Sequence, residues 1–247
     1  MEQYVSLAGI YDDNINMDYT KWAGFVKQVF NRENLDIKDC KSLELGCGSG
    51  NMTLELKRMG FDIIGLDISQ EMLQVASEKA LSSYMKIMFI NQDMVSFQIN
   101  RSFKGVFSFC DVINYVTEEE RLLECFRRVY SCLESGGVFI FDISSEHKLK
   151  DMIGNNTFTR NEENLCYIWD NYFEGNQLEM YITFFVKQGK LYKRLEERHL
   201  QRAYGVEEIK DLLVRAGFKS IESYDDYSFN DINKDTLRIS FVAKKEE

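Results

Sequence analysis

Residues 43–51 read Leu-Glu-Leu-Gly-Cys-Gly-Ser-Gly-Asn, an apolar run that breaks into three glycines at alternate positions. This series demands a buried strand that turns sharply into a helix. Glycine reaches positive φ without steric cost and lets a ligand lie against bare backbone. The helix beyond presents unpaired N–H groups and the positive end of its dipole. The expected elements are a strand over Ser42–Leu45 and a helix over Asn51–Met59 that stops at Gly60. The alternation then repeats. Phe61–Leu66, Lys86–Asn91, Gly105–Cys110 and Val138–Ile143 read as strands. Ser69 caps a helix carrying Met72, Val75, Ala76 and Ala80. Thr117-Glu118-Glu119-Glu120 reads as a capping box for a helix with Leu122, Phe126, Val129 and Leu133 on one face, ended by Gly136-Gly137. Strands and helices in this rhythm predict a doubly wound α/β fold with a parallel sheet.

After Ile143 the period changes. Leu165–Phe173, Leu178–Lys187 and Leu191–Tyr204 alternate as extended strands around turns at 174–177 and 187–190. They predict an antiparallel lid, residues 155–204, inserted after the fifth strand. Val206–Ala216 reads as an amphipathic helix, and Phe218–Tyr224 and Leu237–Lys245 as the last strands. At the other end, Asp18 caps a helix with Tyr19, Trp22, Val26, Val29 and Phe30 at helical spacing. Residues 1–35 form an expected flap, and 1–247 a single domain.

Composition narrows the function. The chain has 30 basic and 40 acidic residues, a formal charge of −10, which repels phosphate backbones and disfavours a broad nucleic-acid footprint. No apolar run is long enough for a bilayer, and Met1-Glu2-Gln3-Tyr4 does not open a secretory signal. The six cysteines form no C-x-x-C pair, so they are expected as reduced thiols in a cytoplasmic protein, with no metal site.

Asp67 follows the glycine loop by roughly twenty residues, at the end of the next strand, where an acid grips ribose hydroxyls. The spacing is G-x-G-x-G, and Asn51 stands where a dinucleotide fingerprint has its third glycine. That argues against a nicotinamide dehydrogenase. Glu44, inside the first strand, suits a ligand with an ammonium group.

On these residues the sequence resembles the class I S-adenosylmethionine-dependent methyltransferases. Leu43–Asn51 looks like their first motif. Ile64-Gly65-Leu66-Asp67-Ile68-Ser69 looks like the second, Gln92-Asp93-Met94 like the third, and 107–115 like the fourth. Residues 133–139 look like the stretch into their fifth strand. The resemblance covers about 11–245 and implies a seven-stranded, mostly parallel sheet with an antiparallel last strand. Tyr11, Tyr19, Trp22 and 199–204 look closest to small-molecule members, the amino-sugar N-methyltransferases and the glycine/sarcosine N-methyltransferase-like proteins. It implies S-adenosylmethionine as cofactor, held by Tyr19, Trp22, Glu44, Gly46, Cys47, Gly48, Gly50, Asp67, Ile68, Met72, Gln92, Asp93, Met94, Cys110 and Asp111. Tyr115, Trp169 and Arg202 are candidates for a small-molecule acceptor, an amine or a hydroxyl. Tyr11 and His199 are the candidates for moving a proton.

Plainer readings stand beside these. Trp22 equally packs a helix on the sheet, Asp93 equally makes an Asx turn, and Trp169 is equally a sheet aromatic. His199 and Arg202 lie on opposite faces of one strand. Arg202, in register with Arg194, Arg198 and Tyr204, is expected on a solvated face. A non-catalytic binding module and a methyltransferase acting on a macromolecule remain the alternatives.

Overall fold

The computed structural model describes residues 17–246. Tyr11 and the start of the expected flap lie outside the described residues. Helix α1 (Tyr19–Arg32) starts at Asp18, whose carboxylate accepts from the Lys21 N–H at 2.9 Å. The alternating half follows as β1 (Lys41–Leu45), α2 (Asn51–Met59), β2 (Asp62–Asp67), α3 (Gln70–Ser82), β3 (Met88–Asn91), β4 (Phe103–Ser108), α4 (Glu119–Cys132) and β5 (Leu133–Ser144). Then come the lid strands β6 (Thr157–Asn161), β7 (Leu165–Glu174), β8 (Gln177–Gln188) and β9 (Leu191–Arg202). Helix α5 (Val206–Ala216) and strands β10 (Ser220–Asp225) and β11 (Arg238–Lys244) complete the chain.

The main sheet has seven strands in the order β10-β11-β5-β4-β1-β2-β3. β11 runs antiparallel to both neighbours, and the pairs from β5 to β3 are parallel. The central strands are buried on both faces, as their continuous apolar runs require. One face packs against α4 and α5, with Phe126, Val129, Ile209 and Leu213. The other packs against α1 and α2, with Val26, Phe30, Met52 and Leu56. Strand order reverses between β1 and β4, and in such sheets ligands bind outside the carboxyl ends at that reversal.

The lid is a separate antiparallel sheet, β6-β7-β8-β9. It has four strands where three are expected. The extra one, β6, is a short edge with alternate residues exposed, too brief and polar to announce itself. Two boundaries also differ. Helix α4 begins at Glu119 with Glu118 as its N-cap, and no side chain caps it. Thr117 sits one residue earlier, its carbonyl accepting from Arg202 at 3.3 Å. Gly136-Gly137 does not end the helix. It marks an irregularity inside β5, where the register against β4 shifts between Phe103 and Gly105. There the Gly136 N–H donates to Lys245 O and the Lys245 N–H to Gly137 O, at 2.8 and 2.9 Å.

All six cysteines carry free thiols. Among the described residues, no helix is long and apolar enough to cross a membrane.

Candidate active site

A crevice of about 610 Å³ opens at the carboxyl ends of β1, β2, β3 and β4, a size suited to a nucleoside-sized ligand. Its floor is the glycine loop. Gly46 has φ +66°, and a Cβ there would lie 2.4 Å from Val112 Cγ1. Gly50 has φ +79°, and its Cβ would lie 2.9 Å from that of Ala76. Both positions therefore exclude a side chain by backbone shape and by space.

Glu44 is buried beneath this loop, 2 % exposed. The Thr53 hydroxyl donates to it, and among the described residues no basic side chain pairs with it. Burial pushes its carboxyl up to about 8, against the pull of the Thr53 hydrogen bond. A buried carboxyl in this state is completed by a ligand that brings a positive charge. Nearby, Lys79 donates to Asn51 Oδ1 at 2.6 Å and to Ser49 Oγ at 3.1 Å. Asn51 Nδ2 in turn donates to the Tyr19 hydroxyl at 3.3 Å. Lys79 thereby fixes which end of the Asn51 amide meets Tyr19.

Asp67 closes the loop from the end of β2. It accepts from the Gly48 N–H at 2.7 Å and from the Ser69 N–H at 2.8 Å. Burial raises its carboxyl above the ordinary value, and those N–H groups pull it back. Asp93 makes an Asx turn with the Val95 N–H and an ion pair with Arg121, each at 2.9 Å. Gln92 Oε1 accepts from the Gln98 N–H at 2.7 Å. Ile68 is 69 % exposed at the mouth, an apolar side chain held out where a flat ring can rest on it.

Tyr19, Glu44, Gly46, Cys47, Gly48, Asp67, Ile68, Met72, Gln92, Asp93, Met94, Cys110 and Tyr115 all line the crevice. Gly50 lies in the loop behind the lining, packed on Ala76. Five described candidates sit elsewhere, the fifth being His199. Trp22 is buried in the core between Phe109 and Tyr227. Asp111 lies under the wall, bonded to Arg238 at 3.0 Å and Gln201 at 2.9 Å. Trp169 packs on Phe158 within the lid sheet. Arg202 pairs with Glu208 of α5 and stacks on buried Tyr204, so its expected solvated face is in fact covered by that helix.

His199 is 3 % exposed, with Nδ1 at 3.3 Å from the Tyr115 hydroxyl and Nε2 at 2.9 Å from Glu197. Glu197 was legible only as the i−2 neighbour of His199 on one strand face. Arg121 at the crevice rim carried no sequence signal beyond its place one turn into a helix.

A sequence profile described as a methyltransferase domain matches residues 43–137. An S-adenosylmethionine-dependent methyltransferase from Clostridium acetobutylicum ATCC 824 has the same fold, with a TM-score of 0.91 and 36% identity over 99% of both chains. A protein of Geobacillus sp. (strain WCH70), provisionally named as a methyltransferase, is 34% identical over 98% of this chain and 99% of its own. The sugar N-methyltransferase KedS8 from Streptoalloteichus sp ATCC 53650 shares the fold at a TM-score of 0.81 and 17% identity, covering 100% of this chain and 96% of its own.

The chain belongs to the class I S-adenosylmethionine-dependent methyltransferases. S-adenosylmethionine is its cofactor, and it supplies an activated methyl group on a sulfonium. The residues present fit that molecule: Glu44 would offer a carboxylate to its ammonium, Asp67 one to its ribose hydroxyls, and Ile68 an apolar rest for its base.

Asp67 gives a direct test of this fit. A carboxylate accepting from ribose hydroxyls is worth about 1.5–3 kcal/mol. Asp67→Ala should therefore weaken S-adenosylhomocysteine binding by roughly ten- to a hundredfold. Calorimetry on the folded variant checks it, and unchanged affinity would mean that Asp67 serves only the Gly48–Ser69 turn.

Proposed function

We propose that this methyltransferase acts on a small-molecule acceptor, an amine or a hydroxyl, by in-line displacement at the sulfonium. The observation that carries the reading is the position of the lid. Strand β9 is pinned beside the crevice, against the turn after β4 that forms part of its wall: Asn114 Nδ2 donates to Arg202 O at 2.8 Å, and Gln201 Nε2 to Asp111 at 2.9 Å. A second sheet anchored beside the crevice suits a compact acceptor held against the methyl group with water excluded. Sugar N-methyltransferases with the same fold support the same acceptor class. The net charge of −10 favours neutral or cationic substrates over nucleic acid.

In this reading the chain mainly aligns and shields. The Gly46–Gly50 loop, Glu44 and Asp67 hold the donor. Tyr115 lies on the acceptor side, and the protein works in the cytoplasm. The test is S-adenosylhomocysteine production, read by mass spectrometry, over a panel of amino sugars, glycine, sarcosine and hydroxy acids. Turnover that depends on one of these supports the proposal. Turnover only with protein or RNA fractions would move the acceptor to a macromolecule. Tight S-adenosylhomocysteine binding with no turnover in any fraction would favour a binding module.

A further inference from the structure

We infer that two copies of this chain pair through the outer face of the lid sheet, with Ile168, Tyr172 and Tyr181 at the middle of the contact. Assembly of this kind is independent of which acceptor is methylated.

The lid has two unlike faces, because side chains alternate along each strand. Leu178 and Met180 of β8 point inward and pack with Leu149 and Ala203. His199 and Gln201 of β9 stand opposite them in the ladder and share that inner face. The outer face carries Ile168 and Tyr172 of β7, opposite Thr183 and Glu179 of β8, with Tyr181 opposite Asp170. Ile168, Tyr172 and Tyr181 are 43, 57 and 42 % exposed. An antiparallel sheet can show one face to water, but that face is then ordinarily polar. Here its middle is apolar and aromatic. Tyr172 meets Tyr181 edge-on with 6.0 Å between ring centres, and the Arg198 guanidinium lies 5.7 Å over the Tyr181 ring. Aromatic side chains and arginine are what the centres of protein–protein contacts favour.

Charge selects the occupant. The chain carries −10, so two copies repel each other over most of their surfaces. The outer lid face is neutral. Lys187, Arg194 and Arg198 balance Asp170, Glu179 and Glu196, and the end row sets Glu174 against Arg202. Arg198 pairs with Glu179 and Arg194 with Glu196 inside the face, so these charges keep their partners when it is covered. A strongly basic or strongly acidic partner finds no opposite field here. An identical neutral face, brought round by a two-fold axis, meets no like charge in excess.

Size agrees with a second copy. The four strands hold 5, 10, 12 and 12 residues. At about 3.4 Å per residue and 4.8 Å per strand, their face spans roughly 640 Å². A stable interface of standard size takes about 600–1,000 Å² from each partner. Two such sheets stacked about 10 Å apart form a sandwich, the ordinary way for one sheet to cover another.

Sedimentation velocity on the full chain tests the pairing. Interfaces of this size hold at micromolar concentration or below, so wild type should run at twice the monomer mass at about 10 μM. Tyr181→Glu and Ile168→Lys each place an unpaired charge in the covered face and should raise the dissociation constant roughly a hundredfold. Tyr172→Ala, a milder change at an exposed position, should raise it roughly tenfold. All three should keep the wild-type far-UV spectrum and bind S-adenosylhomocysteine within about twofold of wild type, since their side chains lie on the lid face turned away from His199. Raising salt from about 0.05 to 0.5 M should tighten the dimer, because it screens the repulsion between two acidic chains. A wild type still monomeric at about 100 μM overturns the pairing. A dimer that none of the three variants weakens, or that salt dissolves, is built on another surface and overturns it equally.

Discussion

Arg238→Met should destabilise the protein by about 3–5 kcal/mol, the usual cost of removing one partner from a buried ion pair. Arg238 is 8 % exposed and lies 5.1 Å from the centre of the Trp22 ring. It donates to Asp142 at 2.7 Å and to Asp111 at 3.0 Å. Burial opposes its charge, but the two carboxylates outweigh that and keep it protonated. Burial likewise opposes the charge on Asp111, and Lys148, Arg238 and Gln201 hold its carboxyl below the ordinary range. Asp142 also accepts from the backbone N–H groups of Cys110 and Asp111. Those residues stand at φ +62° and +51°, a conformation that costs a non-glycine residue about 1–2 kcal/mol. The network thus holds a strained turn under the crevice wall. Chemical denaturation should show the full loss, and melting should fall by roughly 6–20 °C. Arg238→Lys should recover only part, because one ammonium cannot fork across two carboxylates. A loss below about 1 kcal/mol would mean that water replaces the guanidinium.

That network also explains why the sequence was a better guide to one half of the site than to the other. Glu44, Asp67 and Asp93 each sit at or near a strand's carboxyl end, so a reading of strand-to-helix junctions reaches them directly. Trp22 and Asp111 are governed by Arg238, which lies 127 positions beyond Asp111 in the chain. No local pattern carries such a contact. Without Arg238, a tryptophan and an acid near a glycine loop look like ligand contacts; with it, the tryptophan is core and the acid is tied to Arg238 under the crevice wall. Arg202 fails for the same reason, since strand alternation says which face it takes but not that α5 covers that face. The displaced boundaries have local causes. The Arg202 contact to the Thr117 carbonyl stands where a capping box was expected to begin. Gly136 pairs with Lys245, just past β11, so two glycines that read as a helix stop are a break in a strand.

Glu44→Gln should make the empty protein more stable and the loaded protein weaker. In the unfolded chain a glutamate titrates near 4.5, whereas burial pushes Glu44 to about 8 in the folded one. The folded state therefore binds the extra proton between those values, and stability falls as pH rises from about 4.5 to 8, by about 1.4 kcal/mol per unit. At pH 7 the burden is about 2–4 kcal/mol, and glutamine removes it while still accepting from the Thr53 hydroxyl. Wild type and variant should have similar melting temperatures near pH 5, with the variant increasingly ahead toward pH 8. Binding should run the other way. The ammonium of S-adenosylhomocysteine needs the ionised carboxyl, so wild-type affinity should rise by up to roughly tenfold per pH unit below about 8. The variant should bind it roughly ten- to a hundredfold more weakly at pH 8 and show little pH dependence. 5′-Methylthioadenosine, which has no amino-acid tail, separates the two effects: its affinity should change less than about threefold between wild type and variant. Equal losses for both ligands would mean that Glu44 supports the glycine loop and does not meet the ammonium.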